Sequence, residues 1–157
     1  MQKRSGIKLE HFINLYNKFV EMHINPEQFK GVKTKTKGNI LEEIISAITI
    51  DTKIFDLYRN ITNNSNEYDI IIEPSELAKN MYNAIPKVVY QPIICECKNY
   101  TDKTIGVTWI GKLYMLLSMA NVKIGIIFSY DGVIGENEWT DFKGLIKNIF
   151  KRWDSYT

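Results

Sequence analysis

Apolar positions along the chain switch between two periods. Residues 8–23 carry Leu9, Phe12, Tyr16, Phe19 and Val20 at helical spacing, which predicts an amphipathic helix. The next segment, Lys30-Gly31-Val32-Lys33-Thr34-Lys35-Thr36-Lys37-Gly38, is almost devoid of apolar side chains and reads as a loop. Asn39 can cap a second helix, Ile40 to about Ile50, that buries Leu41, Ile44, Ile45 and Ile48. Lys53 to Tyr58 reads as a strand, and Asn60 to Asn66 as a polar turn with Asn63-Asn64-Ser65-Asn66 at its tip. Tyr68-Asp69-Ile70-Ile71-Ile72 predicts a second strand that Pro74 ends. Ser75 can cap a short helix over 75–84, which Pro86 stops. A third strand, Ile93 to Lys98, follows. Residues 105–120 carry Ile110, Leu113, Leu116, Leu117 and Ala120, a helix with a broad apolar face. Val122 to Phe128 predicts a fourth strand, Ser129-Tyr130-Asp131-Gly132 a turn, and 139–153 a last helix with Phe142, Leu145, Ile146, Ile149, Phe150 and Trp153 on one side.

That order predicts an α/β protein with a mixed central sheet of about four strands flanked by helices. Three strands in succession suggest an antiparallel meander. The helix after them carries the chain to a fourth strand, parallel to a neighbour. With 157 residues, one domain with its own core is expected, residues 1–157, with no internal repeat or linker.

Charge narrows the function only slightly. A net charge of +2 means that any nucleic-acid footprint must come from local clustering. The apolar runs fall far short of the roughly 18–20 residues of a membrane span, so no membrane partner is expected. Met1-Gln2-Lys3-Arg4-Ser5-Gly6 has no apolar stretch behind it and does not read as a signal peptide. Cys95 and Cys97, two apart on one strand, are poorly placed to bond each other, and with His11 and His23 they are thin material for zinc. Reduced core cysteines and a cytoplasmic location are the expectation. Both histidines read as surface residues of the first helix.

Strand alternation puts Ile94, Glu96 and Lys98 on one face and Ile93, Cys95 and Cys97 on the other. An acid and an amine are thus held side by side in an apolar segment, and Asp69 stands in another. Buried charge is costly unless it is paired or binds a metal. A divalent cation together with a phosphate would offset the cost. The plain alternative is a surface ion pair between Glu96 and Lys98, with Asp69 as a turn residue.

Element order and residues resemble the PD-(D/E)xK nuclease superfamily, the restriction-endonuclease-like fold with its αβββαβ core. Asp69 and the Glu96-Cys97-Lys98 triplet carry the likeness. Lys37-Gly38-Asn39-Ile40-Leu41-Glu42 is similar to the Lys-Gly-x-x-Leu-Glu opening of the first core helix in Mrr-like members, and Gly125-Ile126-Ile127-Phe128-Ser129 to the strand after their second core helix. The likeness covers about residues 36–135. Two features depart from it: Tyr68 precedes Asp69 where relatives often have Pro, and the segment between Asp69 and Glu96 is longer than a tight hairpin.

The resemblance implies a metal-dependent endonuclease that hydrolyses phosphodiester bonds of DNA. Asp69, Glu96 and the main-chain carbonyl of Cys97 would hold Mg2+, with Mn2+ as its substitute. Lys98 would orient the attacking water and offset growing charge; as an ammonium it cannot accept a proton. Glu42 is the implied helper acid, and helical geometry leaves Glu43 open. Glu73, two pleats beyond Asp69, is a further candidate ligand. Lys33, Lys35 and Lys37, in a run with Lys30, would track a phosphate backbone, and Asn99 and Tyr100 would touch the substrate. Lys103, Lys112 and Trp109 flank the second core helix, Trp109 reading as core. No helix-turn-helix or zinc finger stands out, so cutting by structure, as a homodimer or as a subunit of a larger nuclease complex is expected. Two alternatives remain: a catalytically inactive nuclease-fold module that binds nucleic acid or a partner protein, and an α/β interaction domain in which the triplet is accidental.

Overall fold

The computed structural model describes residues 9–32, 34–62, 67–81, 90–100 and 105–130. The first helix, α1, spans Leu9–Ile24, and a 3-10 turn at Pro26–Phe29 follows it. Next come α2 (Thr34–Asp51), β1 (Phe55–Thr62), β2 (Glu67–Pro74), α3 (Glu76–Asn80), β3 (Ile93–Lys98), α4 (Val107–Ala120) and β4 (Ile124–Ser129). The sheet order is β1-β2-β3-β4. The first two pairings are antiparallel, and β3 pairs β4 in parallel. The protein is therefore α/β with a four-stranded mixed sheet, as the periodicities predict. Lys33, Lys103 and the helix expected over 139–153 lie outside the described residues.

Helices cover both sheet faces. On one, Ile70, Ile72, Ile93, Cys95 and Cys97 pack against Leu41 and Ile45 of α2. On the other, Ile94 meets Leu113, Leu116 and Leu117 of α4. The alternation read from Ile93–Lys98 thus divides two cores. Ser75 caps α3: its hydroxyl accepts the Ala78 N–H at 3.2 Å and donates to the Lys53 carbonyl at 2.8 Å. α4 ends on Asn121 in the left-handed region, φ 52°, with the Val122 N–H returning to the Leu117 carbonyl.

Several expectations change. The lysine-rich segment is a loop only in its first part, Lys30–Val32: α2 begins at Thr34, so Lys35 and Lys37 are helical and Asn39 lies inside the helix rather than at its cap. Lysine is a fair helix former, and polar turns are stable where a helix begins in solvent. Ile48 is 53% exposed, because α1 rests on Ile40 and Ile44 and Ile48 lies a turn beyond that contact. In α1 the buried residues are Leu15 and Met22, flanked by Phe12 and Phe19; Leu9 and Tyr16 are exposed. β1 continues through Asn60–Thr62, which the sequence reads as turn.

At Gly125 the side chains of α4 press directly on β4. A Cβ there would come within 2.8 Å of the Leu113 and Leu117 side chains. Gly125→Val should lower stability in urea unfolding by about 1–3 kcal/mol through overpacking, and Gly125→Ala by less, since leucine tips can turn aside.

Candidate functional site

The sheet opens at Asp69. The β1–β2 register pairs Arg59 with Ile70 and Ile61 with Tyr68 but steps over Asn60 and Asp69. Asn60 bends β1 there with φ 51°, a conformation asparagine tolerates better than most residues. The β2–β3 ladder stops at Ile70 and Cys95; one further step would set Asp69 opposite Glu96. Asp69 is thus unpaired in both ladders, and its carboxylate fills the gap, accepting the Cys97 N–H at 2.8 Å.

Lys98 joins the two acids. Its Nζ lies 3.3 Å from Asp69 Oδ2 and 2.8 Å from Glu96 Oε2. Burial opposes its charge, but the hydrogen bond to Glu96 and the charges of Asp69 and Glu96 outweigh that, so its pKa sits above the ordinary lysine value. Lys98 is therefore an ammonium at neutral pH. Glu96 is 1% exposed and would be costly without partners. A second one arrives from α4: Lys112 Nζ lies 3.2 Å from Oε1 and 3.1 Å from Oε2. Trp109, a turn earlier, offers its ring to both amines, at 4.3 Å from Lys98 Nζ and 5.6 Å from Lys112 Nζ. Tyr100 stands beside it, ring centroids 6.1 Å apart. The cluster occupies the carboxyl ends of the parallel pair β3 and β4, where open α/β sheets usually hold ligands.

The other predicted residues are placed differently. Glu42 is buried, but its Oε2 takes Arg59 at 3.0 Å (Nη2) and 3.3 Å (Nε), and Asn60 at 3.4 Å. It locks α2 to β1, and its charge adds to burial and Asp69 in raising the Cys97 thiol. Glu43 is half-buried on α2. Glu73 lies four residues along β2, about 13 Å at strand rise, opposite Asp56 at the far end. Asn99, expected at the substrate, is instead buried. Its amide donates to the Lys37 carbonyl at 2.6 Å, and its Oδ1 lies 2.6 Å from His23 Nε2. His23 is accordingly not a surface residue: its ring stacks on Tyr130, centroids 3.7 Å apart. Lys35 is exposed and Lys37 half-buried on α2. Trp109 is a half-buried wall of the site rather than core. The grip of Lys112 on Glu96 was not assigned from sequence; its position on the helix after β3 was the only available signal.

Two carboxylates on neighbouring strands suit a hard divalent cation, and the Lys98 ammonium lies between their oxygens. Among the described residues no group of three or more His, Cys, Asp or Glu side chains is placed to hold a metal. Among the described residues, further ligands would come from the backbone and from water, which magnesium favours.

Both thiols are free and buried. Burial pushes Cys95 from 9.0 up to about 12. Cys97 is pushed up by burial and then by the charges of Asp69 and Glu42. Folded thiols and Lys98 hold protons more tightly than unfolded ones, so above about pH 9 the native state binds more protons and stability falls as pH rises. The expected slope is about 1.4 kcal/mol per pH unit for each thiol, read from urea midpoints at rising pH. Cys95→Ala should remove one thiol's share of that slope and leave the share of Cys97.

Fold and site together define a mixed α/β protein with a buried acid–lysine cluster at the carboxyl ends of its parallel strands. The chain matches no protein-family model, no curated protein and no solved structure. No helix among the described residues is long and apolar enough to cross a membrane.

Proposed function

We propose that the protein is a metal-dependent endonuclease of the PD-(D/E)xK type, hydrolysing phosphodiester bonds of DNA. The observation that carries this reading is the convergence of Asp69, Glu96 and Lys98 from two strands, with one ammonium within 3.3 Å of both carboxylates. The αβββαβ order and the motifs around Asp69, Glu96-Cys97-Lys98, Leu41-Glu42 and Gly125 support it.

Asp69 and Glu96, with the Cys97 main-chain carbonyl, would hold Mg2+ or Mn2+. When bound, the ion would polarise the phosphate and acidify a water. Asp69 keeps its place through the Cys97 N–H. Lys98, held protonated, orients the nucleophilic water and offsets charge growing on the phosphate. Lys35 and Lys37 could meet the backbone of the nucleic acid, and Tyr100 a base. Glu42, tied to Arg59 and Asn60, has a supporting role: it fixes α2 against β1 beside the site.

One observation favours a second reading. Glu96 already has both oxygens occupied by lysines, which suits a nuclease-fold module that binds nucleic acid without cutting it. Incubating supercoiled plasmid with the protein, with and without magnesium, separates the two. Nicking that needs the metal and disappears in Lys98→Ala supports the nuclease. Tight binding without nicking, with or without magnesium, supports the module.

A further inference from the structure

We propose that Lys112 is a displaceable counter-ion, which occupies Glu96 until a divalent cation takes its place and so sets the threshold for metal entry. The inference rests on the metal-dependent reading above.

The two lysines on Glu96 are not equivalent. Lys98 is 11% exposed and bridges two carboxylates. Lys112 is 37% exposed, and among the described residues Glu96 is its one carboxylate. It contacts both Glu96 oxygens, at 3.1 and 3.2 Å, the same atoms a metal would use. An ammonium and a divalent cation on one carboxylate repel each other, so the two occupancies compete. Lys112 is the one that yields, because it gives up a single partner and has water to receive it.

Two further features fit this exchange. Without a cation, Asp69 and Glu96 face Lys98 and Lys112, and the cluster is neutral. A divalent ion would leave it strongly positive unless one ammonium withdrew. The ring of Trp109, 5.6 Å from Lys112 Nζ, also gives the withdrawing ammonium a favourable surface at the rim of the site.

Calorimetric titration with magnesium, without nucleic acid, tests the exchange on the native chain, Lys112→Met, Lys112→Arg and Asp69→Asn. Methionine keeps the apolar stem of the side chain. Lys112→Met should bind magnesium about tenfold more tightly, whereas Lys112→Arg stays near the native affinity. A merely structural lysine would give the opposite result, weaker binding on removal. A second measurement needs no variant: acylation of native protein by an amine-reactive ester, read by peptide mass spectrometry. Lys112 should be modified several-fold faster with magnesium than without, and Lys98 should stay protected.

Unchanged or weaker magnesium binding by Lys112→Met, when the native chain binds through Asp69, overturns the counter-ion role and leaves the nuclease reading standing. An acylation rate indifferent to magnesium overturns it equally. No magnesium binding by either the native chain or Lys112→Met overturns the metal-dependent reading itself, and the counter-ion role with it.

Discussion

Glu96→Ala should cost about 3–5 kcal/mol of folding stability, more than any other single change at the site. The reason is its burial. Glu96 is 1% exposed and is the shared partner of two ammonium groups. Removing the carboxylate leaves Lys98, itself 11% exposed, with Asp69 at 3.3 Å as its one remaining carboxylate among the described residues and the Trp109 ring at 4.3 Å. Lys112 can withdraw to solvent and adds little to the loss. Glu96→Gln keeps the shape and one acceptor oxygen, so it should cost about 1–2 kcal/mol. The double change Glu96→Met with Lys98→Met should recover much of the deficit, since a buried pair replaced by apolar groups of similar volume is often neutral. Urea unfolding of the three variants at neutral pH reads these differences. A stable Glu96→Ala protein would mean that the carboxylate is a burden the fold tolerates for function, not a partner the lysines need.

The strands around this cluster were legible because their signals are local. Ile93 to Lys98 alternates between two apolar cores, and the two faces read from sequence are the two faces observed. The Pro74 stop and the Ser75 cap are also chain-local and appear where the residues place them. What was not legible depends on distant partners. Nothing near Asn99 says that its amide joins the Lys37 carbonyl and the His23 ring across three elements. The first turn of α2, Thr34–Gly38, reads as loop because apolar periodicity detects only turns that carry apolar side chains, and these five residues have none. For the site, period two aligned Glu96 with Lys98, but the approach of Asp69 needs the lapse in pairing at Asn60, a backbone event that leaves no clear mark in composition. Glu42 was singled out for a motif match, and its buried bond to Arg59 gives that glutamate a structural occupation the motif does not describe.

Asp69→Asn should separate chemistry from architecture. The carboxylate has two tasks: it accepts the Cys97 N–H at 2.8 Å, and it places negative charge beside Lys98. Asparagine can still accept the N–H through its amide oxygen but carries no charge. The fold should therefore lose only about 1 kcal/mol, while Asp69→Ala, which also orphans the N–H, should lose about 1–3 kcal/mol. If the site cuts phosphodiesters with a bound ion, both variants should slow magnesium-dependent plasmid nicking by about 10²–10³-fold or more. Magnesium binding by calorimetry should weaken alongside. The informative comparison is the asparagine variant, in which a folded protein with its strand gap intact has lost one charge. Native-rate nicking by that variant would place the chemistry elsewhere and reduce Asp69 to a plug in the sheet; a dead but stable variant would tie hydrolysis to the carboxylate that sits where both strand ladders lapse.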